Sequence, residues 1–583
     1  MSTQQEQMEQ AEELLGDRLE LASFSKGLFF GQFRNERLLP YPPPMNSRIR
    51  DRVNQLKSFC EYEINPVEID ESARISQRVI SGLGRLGVLG ACLPRSCGGQ
   101  DLSQTAYCRL LEVLGGHCGS TALFVNAHHS IGPRSIVLFG TQQQQEKWLP
   151  KLASGEWISA FALTEPEAGS DASNVQTTAT PTEDGSGYVL NGEKRWITNG
   201  GIAQVLTVMA RTPVPGSSES KITAFLVTPD MDGFQIVEER MEKCGVRGTA
   251  TSRLAFRDMF VPSENVLGKL GKGLRVALTV LDFGRTTFGA SCTGAAKFCV
   301  QKATEHANQR VQFQQTLGSF ELVKEKLAAM QAGTYAMESC TYQTAALIDA
   351  DEGDFMIETA MLKVFSTDVL WKIVNDTFQL YGGKAYFTDE PFERMMRDAR
   401  INTIGEGAND VLRAFVALVG MRDVGLELEG ILNAISNPLL HAATLGRFAG
   451  RKLGSLLVSP QVAVRSTLLE DDAARLGRDV GRLGGQVERL LRTYQRDILD
   501  RQYQLARIAD AATEIYVSAC VINRLDAALG SESGPEQQFE LATARYYLKA
   551  AHRRINTNFK ALWDNDDEDT TDLANRMLDR NKT

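Results

Sequence analysis

The chain has 583 residues, 43% of them hydrophobic and 23% charged, which is too long for one compact core and predicts three or four globular domains. Its formal net charge of -9, from 63 Lys and Arg against 72 Asp and Glu, argues against a nucleic-acid-binding protein. The ten cysteines include no CxxC pair and the six histidines no HExxH, so we expect reduced thiols and no metal site.

Residues 1–45 are interpreted as an N-terminal extension. The opening MSTQQEQMEQAEELLGDRLE is acidic and rich in Gln, unlike an Arg-rich transit peptide, and it has no apolar stretch of the secretory type. No run in the sequence reaches the 18 apolar residues that a membrane-spanning helix needs. These features predict a cytoplasmic protein.

The next three blocks differ in their apolar period. Residues 46–158 have helical spacing and predict a helical domain. Residues 159–270 contain short runs of β-branched and aromatic residues, which predict an antiparallel β domain, with Asn191-Gly192 as a hairpin turn. Helical spacing returns in residues 271–425, where a bundle is predicted from four long segments, 273–309, 318–350, 354–381 and 409–425.

Residues 426–583 predict a further helical domain. Its clearest helix has an apolar stripe at Leu505, Ile508, Ala509, Ala512, Ile515, Ala519 and Ile522. We expect the charged tail from residue 565 to fray. Residues 437–460 set leucines and Phe448 against Arg447, Arg451 and Lys452, which predicts either an amphipathic helix on an anionic membrane or a segment buried against a neighbouring domain.

The order of these blocks determines the fold class. Since strands and helices do not alternate, we expect an α+β multidomain protein and not a doubly wound sheet. Gly82, Gly84 and Gly87 match the dinucleotide pattern GxGxxG, but the residues before them have helical spacing, so we interpret them as helix-packing glycines. The sequence has no GxxxxGK[ST] or GxSxG motif, which argues against phosphate-loop and serine-hydrolase chemistry.

Three stretches are candidates for chemistry. Glu406 lies between Gly405 and Gly407 before an apolar helix, either as an acid favoured by the helix dipole or as a reactive carboxylate. The loop in FALTEPEAGSDASNV, residues 161–175, either binds a flat ring and a phosphate or is a surface turn. Trp196 and Thr198, two apart on a predicted strand, lie on one face and either wall a ring system or pack in the sheet.

In their order along the chain, these motifs resemble the acyl-CoA dehydrogenase family of flavoproteins. FALTEPEAGSD resembles its flavin loop, KRWITNG its second flavin strand, and KCGVRGTATSRLAFRDMFVPSENVLG its substrate-side β segment. RVQFQQTLGSFELVKEKLAAM and FQLYGGKAYFTDEPFERMMRDARINTIGEGAND resemble its bundle helices. The resemblance spans residues 46–425, and LPYP, HHSIGPRSIVLFGT and the helical extension resemble the very-long-chain members in particular.

The resemblance implies a fold and an activity. The fold is an N-terminal helical domain, a central antiparallel β-barrel domain and a four-helix bundle, here followed by a C-terminal helical domain. The activity is FAD-dependent oxidation of long-chain fatty acyl-CoA to trans-2-enoyl-CoA in fatty acid β-oxidation. Glu406 matches the base that removes the α-proton while the β-hydrogen passes as hydride to flavin N5. Its NH is expected to bind the thioester oxygen, and burial to raise its pKa.

The same resemblance implies the binding residues. FAD would be held by Phe161, Leu163, Thr164, Gly169, Ser170, Trp196, Ile197, Thr198, Arg310, Phe313, Gln379, Gly382, Gly383, Ala408 and Asp410. The acyl-CoA would contact Ser170, Asp282, Arg285 and Gly407, although Arg285 could instead be a paired surface cation. Arg310, Phe313, Gln379, Gly382 and Gly383 match residues that reach the FAD of a neighbouring subunit, which implies a homodimer or tetramer.

Some positions depart from the family pattern. Some members carry the base at the position of Gly284, where glycine cannot serve. Gly405 replaces a usual aromatic residue, Ala408 a usual Thr, and Ala385 and Gln314 usual glycines. These changes motivate a second hypothesis, a weakly active relative that acts mainly as an assembly or scaffold partner. The implied electron acceptor is an electron-transfer flavoprotein, and the implied membrane contact is peripheral, at the inner membrane face.

Overall fold

The computed structural model describes residues 23–580 except 39, 218, 351–353, 436–458 and 530–533. The chain divides into two compact units, the first containing Pro42–Asn409 and the second containing Leu21–Tyr41 and Asp410–Thr583. Residues 437–458, the larger part of the segment predicted to contact a membrane or a neighbouring domain, lie outside the described residues. None of the helices in the described ranges is both long and apolar enough to cross a membrane.

The first described helix, α1 (Phe24–Phe29), belongs to the second unit. The first unit opens with helices, as the apolar period predicts: α2 (Ser47–Glu63), α3 (Pro66–Ser72), α4 (Gln77–Arg85), α5 (Gln104–His117), α6 (Gly119–Val125), α7 (Gly132–Phe139) and α8 (Gln142–Ser154). Their starts follow from capping: Ser76 accepts a hydrogen bond from Val79 N, and Ser103 from Ala106 N. A buried π-helical turn, Asn126–Ile131, separates α6 from α7.

Two of the three glycines of the GxGxxG pattern pack helices. Gly82 and Gly84 lie inside α4, and no strand precedes that helix among the described residues. A Cβ on Gly82 would come within 2.3 Å of the Phe59 ring, and one on Gly84 within 2.3 Å of the Ser154 carbonyl oxygen. The packing interpretation is therefore confirmed for Gly82 and Gly84, whereas Gly87 lies after the helix, has φ +72 and faces the Gln100 side chain.

The central domain is an eight-stranded sheet with the path β6-β7-β3-β2-β4-β5-β8 and β1 beside β4. Its strands are β1 (Ser159–Ala162), β2 (Thr178–Pro181), β3 (Gly187–Ile197), β4 (Val205–Pro213), β5 (Ser220–Val227), β6 (Phe234–Glu238), β7 (Ser252–Pro262) and β8 (Val266–Leu267). Most neighbours are antiparallel, as expected, but β1 and β2 both pair with β4 in parallel, so the sheet is mixed.

The predicted hairpin at Asn191-Gly192 is wrong. Both residues lie inside β3, where the register against β7 shifts between Leu190 and Gly192. Gly192 has φ +152, and a Cβ there would come within 2.5 Å of Thr177 Oγ1. Gly192 therefore allows a β-bulge and a close approach to the segment of Thr177. In the sequence, a glycine in this role resembles a turn signal.

Long helices follow the sheet. They are α9 (Gly273–Gln309), α10 (Glu321–Ala350) and α11 (Met356–Tyr381), which pack on one another, and the short β9 (Val311–Gln312) and β10 (Gln315–Thr316) pair between α9 and α10. The shorter α12 (Phe392–Arg400) precedes α13 (Asn409–Ile435). The four predicted bundle segments are all helices, and α9 also packs on α5.

The second unit contains α1, α13 after its first residue, α14 (Glu470–Tyr494), α15 (Gln502–Ala528), α16 (Pro535–Ala561) and α17 (Asp567–Arg580). The predicted apolar stripe of α15 is buried throughout. The predicted fraying of the tail is wrong for Asp567–Arg580. That segment is helical, and its first residue pairs with Arg507 at 2.6 Å.

The N-terminal segment packs inside this second unit. α1 is buried along its whole length. A Cβ on Gly420 of α13 would lie 2.3 Å from the ring of Phe29, and one on Gly484 of α14 would lie 2.4 Å from Gly31 N. Glycines on two helices therefore make room for a segment that the sequence presents as an extension.

Candidate active site

The site is built around the loop of Glu406, between the turn Ile401–Thr403 and the start of α13. Glu406 has φ +55 and Gly407 φ +97, so two successive residues are in the left-handed region. For a glutamate that backbone conformation costs on the order of 1 kcal/mol and persists only where the surroundings hold it. Lys363 Nζ in α11 holds it, by donating to Gly407 O at 2.7 Å and Asn409 Oδ1 at 2.9 Å.

The two oxygens of the Glu406 carboxylate differ in their surroundings. Oε1 accepts a hydrogen bond from Asn126 Nδ2 at 2.8 Å. Oε2 is buried and has no hydrogen-bond partner among the described residues, although Glu406 as a whole is partly exposed. Burial raises the pKa of Glu406 to about 7, against the opposing effects of Lys363, Arg285 and the Asn126 hydrogen bond. A carboxyl group with that pKa can accept a proton near neutral pH.

The π-helical turn Asn126–Ile131 connects this carboxylate to the sheet. Its first residue binds Glu406, and Phe124, just before it, accepts a hydrogen bond on its carbonyl oxygen from Asn199 at 3.1 Å. Asn199 lies within KRWITNG, the predicted second flavin strand. His128 Nδ1 accepts from Ser159 N, the first residue of β1, at 3.1 Å. The structure therefore brings Glu406 and the start of β1 to this turn, and the segment after β3 to the end of α6 directly before the turn.

The predicted flavin loop follows β1 and is held by a buried ion pair with β3. Its predicted residues are Phe161 in β1, the partly buried Leu163 and Thr164 after it, and the exposed Gly169 and Ser170. Lys194 Nζ of β3 is fully buried, donates to Leu163 O at 3.0 Å and forms an ion pair with Glu165 Oε1 at 2.6 Å. Glu165 in turn accepts from the backbone NH groups of Gln176 and Thr177. One buried ion pair thus holds both ends of the loop.

The predicted strand face of Trp196 and Thr198 is wrong. β3 ends at Ile197, so Thr198 lies in the following turn, and Trp196 has φ +60 at a register shift between Arg195 and Ile197. The side chain of Ile197 is buried, whereas Trp196 is 49% exposed. A large aromatic ring is therefore presented outside the sheet core, close in sequence to Asn199, which donates to Phe124 O of α6.

Asp282 and Arg285 are on α9 near the base. Arg285 is 6% exposed, so the surface-cation alternative is wrong. Arg285 Nη1 donates to Asp282 Oδ1 at 3.3 Å, and its Nε points to Glu406 O at 3.5 Å. Thr359 of α11 also donates to Asp282.

The residues predicted to reach a neighbouring subunit are exposed. Arg310 and Phe313 are at β9 and the turn after it, and Gln379, Gly382 and Gly383 are at the end of α11, with open space beside both glycines. Phe313 is 88% exposed. Phe313 and Gln314 both have positive φ, so the glycine that the family pattern has at 314 would be less strained. Ala408 lies in the Glu406 loop, and the exposed Asp410 is in the first turn of α13.

An open cavity lies beside Asn126, the hydrogen-bond partner of Glu406. Asn126 is part of its wall, together with mainly apolar residues of α6, α9 and α11 that include Leu123, Phe288, Leu370 and Val374. A cavity with this lining suits a ligand with a flexible apolar part.

Three residues of the site were missed by the sequence reasoning: Asn126, Thr287 and Lys363. Asn126 binds the base, Thr287 Oγ1 donates to Asn126 Oδ1, and Lys363 holds the loop. Each is in a helical segment of the sequence without a recognisable motif, and their partners are remote in sequence. The sequence does show a Lys or Asn within each such segment, but it does not show which of these polar residues becomes buried.

Comparison with known proteins identifies the family of the chain. The chain matches the families described as acyl-CoA dehydrogenase N-terminal domain (residues 47–156), middle domain (160–259) and C-terminal domain (271–420), and as ACAD9/ACADV C-terminal domain (467–582). It is 37% identical over 557 residues to the human mitochondrial very long-chain specific acyl-CoA dehydrogenase, covering 94% of this chain and 85% of that one.

Solved structures show the same relationship. An acyl-CoA dehydrogenase from Bacillus anthracis complexed with FAD matches 94% of both chains with a TM-score of 0.80 and 30% identity. Butyryl-CoA dehydrogenase from Megasphaera elsdenii matches 64% of this chain and 98% of its own, with a TM-score of 0.61 and 33% identity. The chain therefore belongs to the acyl-CoA dehydrogenase family and is an FAD-dependent acyl-CoA dehydrogenase.

Proposed function

We propose that this enzyme oxidises long-chain fatty acyl-CoA to trans-2-enoyl-CoA in fatty acid β-oxidation, with Glu406 as the base that removes the α-proton. One observation carries the proposal: Glu406 Oε2 is buried and unpartnered among the described residues, in a carboxyl group whose pKa burial raises to about 7. A buried lone acceptor with such a pKa costs stability and is useful where a proton must be taken up.

Oxidation of a saturated acyl chain requires several groups of the site to act together. A saturated acyl chain has no acidic proton, so the site must stabilise an enolate-like transition state and provide an electron acceptor together. When bound, FAD supplies that acceptor by taking the β-hydrogen as hydride. Glu406 Oε2 takes the α-proton, and the NH of Glu406 is proposed to bind the thioester oxygen. Lys363 and Arg285 hold the loop that carries both groups.

The residues present fit FAD. Trp196 presents half of a large aromatic side chain outside the sheet core, and Gly169 has open space around it, beside the exposed hydroxyl of Ser170. We propose that Trp196, Ile197 and Thr198 flank the flavin ring, and that the loop of Phe161, Leu163, Thr164, Gly169 and Ser170 holds the flavin and the nearby acyl-CoA. Ala408 and Asp410 are proposed as further cofactor contacts.

We propose the cavity beside Asn126 as the acyl-chain site. Each methylene buried from water stabilises the complex by about 0.8 kcal/mol, so a cavity with a mainly apolar wall favours long chains over short ones. Asp282, Arg285, Gly407 and Ser170 are proposed to contact the thioester end of the ligand. Because Asp282 and Arg285 are paired with each other, they add polarity there with little net charge.

Self-association is proposed on the basis of an exposed aromatic and glycine surface. Phe313 is 88% exposed. Tyr386 and Phe387 are 76% and 66% exposed, and these two lie close in sequence to the open Gly382 and Gly383. Large exposed aromatic side chains of this kind mark interaction surfaces. We propose that Arg310, Phe313, Gln379, Gly382 and Gly383 reach the FAD of a second copy in a homodimer or tetramer.

Two partners follow from the family relationship and the sequence. An electron-transfer flavoprotein is the proposed acceptor, and an oxidase would instead release peroxide in air. Peripheral membrane contact through residues 437–460 stays a prediction from sequence, with burial against a neighbouring domain as the alternative. Vesicle cosedimentation of the protein and of a variant with Arg447, Arg451 and Lys452 changed to Glu decides between them.

The test of the proposed function is an anaerobic titration of the purified holoenzyme with acyl-CoA of graded chain length, following the flavin absorbance band. Bleaching that is strongest with long chains, such as palmitoyl-CoA, is the expected result. A protein that holds FAD but is reduced by no acyl-CoA would contradict the proposal. That outcome would favour the second candidate, an assembly or scaffold partner, which the replacements Gly405 and Ala408 beside the base motivate.

A further inference from the structure

A line of buried polar side chains ends at the base. The hydroxyl of Tyr107 in α5 lies 3.4 Å from Ser130 Oγ, which lies 3.1 Å from Thr287 Oγ1 in α9. Thr287 Oγ1 donates to Asn126 Oδ1, and Asn126 Nδ2 donates to Glu406 Oε1 at 2.8 Å. Tyr107 and Thr287 are 0% exposed and Ser130 and Asn126 1%, so water does not compete for these hydrogen bonds.

One donor order joins every member of this line. A hydroxyl has a single proton, so Tyr107 donates to Ser130, Ser130 to Thr287, and Thr287 to the amide oxygen of Asn126. That order leaves the amide NH₂ group facing Glu406. The Thr287 hydroxyl also lies 2.9 Å from Gly284 O, but only its donation to Asn126 fixes the orientation of the amide.

We propose that Asn126, oriented by Thr287, is a positioning residue that holds Oε1 of Glu406 and leaves Oε2 as the oxygen that receives the α-proton. The inference rests on the proposed function. The two oxygens of a free carboxylate are equivalent, whereas here one is anchored at 2.8 Å and the other is buried without a partner among the described residues. Asn126 also lines the cavity, so it lies between the proposed acyl chain and the base.

The groups facing Glu406 define what the loss of Asn126 does. Lys363 from α11 and Arg285 from α9 lower the pKa of Glu406, and so does the Asn126 hydrogen bond, whereas burial raises it. The thiol of Cys292 in α9 is also near and has a pKa raised by burial to about 12, so it stays neutral. Removing the Asn126 donor withdraws a hydrogen bond from the ionised form of Glu406. The pKa of Glu406 must then rise further.

The test uses the holoenzyme with Asn126→Leu and Thr287→Val, each close in shape to the original side chain. A 3-thia-acyl-CoA is the probe, because sulfur at position 3 prevents hydride transfer and leaves α-proton removal to be followed by the charge-transfer band with the flavin. We expect Asn126→Leu to move the pH midpoint of that band upward by about one unit. Flavin bleaching by a normal acyl-CoA should slow by about ten- to a hundredfold.

Thr287 should act through Asn126. Thr287→Val is expected to shift the midpoint in the same direction by a smaller amount, Thr287→Ser to restore it, and Thr287→Val to add nothing in the Asn126→Leu background. Thr293→Val is the matched control, since Thr293 is equally buried on α9 and donates to Gly289 O, away from the base. If Asn126→Leu does not fold, the Thr287 variants alone decide.

A readout without substrate separates this inference from the proposed function. Because Asn126 stabilises ionised Glu406, Asn126→Leu should lower the melting temperature more above pH 7 than below pH 5. Midpoints, rates and melting profiles that are unchanged in both variants would overturn the role of Asn126. A different outcome would contradict the proposed function: the melting difference between Asn126→Leu and the wild type is found, but the wild type holds FAD and removes no α-proton. Asn126 would then remain the anchor of a buried carboxylate.

Discussion

Gly284 of α9 faces the carboxylate of Glu406: a Cβ built on Gly284 would lie 2.8 Å from Glu406 Oε2. The absence of a side chain on α9 at this position is therefore what leaves room for the carboxylate. Because that contact involves the oxygen proposed to accept the proton, the relationship can be tested by adding a single methyl group.

Gly284→Ala should slow flavin bleaching while leaving the fold intact. The added methyl group pushes Oε2 out of place, and a displacement of about 1 Å can cost up to about a hundredfold in rate. Stopped-flow bleaching by a long-chain acyl-CoA measures the effect. Gly289→Ala, on the same helix, is the control, because its Cβ would meet only the flexible side chain of Leu362 at 3.0 Å. Equal rates in the two variants would argue against Oε2 as the reacting atom.

The pH profile should follow Glu406. Its pKa is raised by burial to about 7, and the base must be ionised, so kcat/KM should fall about tenfold per pH unit below pH 7 and level off above it. Glu406→Gln should lose at least about a hundredfold in bleaching rate at all pH values. A profile that is flat from pH 5 to 8 would indicate another base.

Glu406→Gln should also be more stable than the wild type at high pH. A carboxyl group whose pKa is higher in the folded than in the unfolded protein makes the fold more stable at low pH than at high pH. This contribution is lost as the pH rises through about 7. A difference of two to three pKa units corresponds to roughly 3 kcal/mol. Urea unfolding at pH 8.5 and at pH 4 should show the gain of the variant only at the higher pH.

Breaking the buried pair under the flavin loop should be costly. Lys194→Met leaves Glu165 buried without its cation and should lower the free energy of unfolding by about 3–5 kcal/mol, with loss of FAD retention. Arg257→Met is the matched control, since it breaks the partly exposed pair with Glu193, the neighbour of Lys194, and should cost at most about 1 kcal/mol. Urea unfolding and the flavin-to-protein absorbance ratio measure both effects.

Removing the exposed ring of Phe313 should weaken self-association. Phe313→Ser is expected to shift the protein toward monomer and to lower FAD retention, because the side chain is 88% exposed within one chain. Light scattering coupled to size exclusion gives the mass. Tyr62→Ser removes an aromatic ring of similar exposure, 84%, on α2 and should leave the mass unchanged. A Phe313→Ser protein of wild-type mass would contradict the proposed interface.

Filling the cavity should change chain-length preference. Ala295 of α9 lines the cavity, and Ala295→Phe would occupy part of its volume. We expect bleaching by long-chain acyl-CoA to fall by at least about tenfold, because each excluded methylene loses roughly 0.8 kcal/mol, while short-chain rates change little. The ratio of the two rates in one variant is its own control for folding. A uniform loss with all chain lengths would point away from this cavity.

Much of the architecture was determined by the sequence alone. Apolar spacing is a local property, and it placed the long helix over 273–309, the strand-rich block over 159–270 and the stripe of α15. The motif around Glu406 led to the family, which the comparisons bear out. The failures were also local. Asn191-Gly192 has the composition of a turn, but pairing of β3 with β7 makes it a bulge, and the tail after residue 565 became helical where Asp567 meets Arg507.

Only the tertiary structure decided which atoms surround the base. Asn126 and Glu406 are 280 residues apart, and the ion pair of Lys194 with Glu165 joins different elements across 29. Such hydrogen bonds depend on how packed elements approach each other, and neither periodicity nor composition encodes that distance. The sequence thus predicted a family role for Glu406, whereas packing decided that one of its oxygens is anchored and the other left buried beside Gly284.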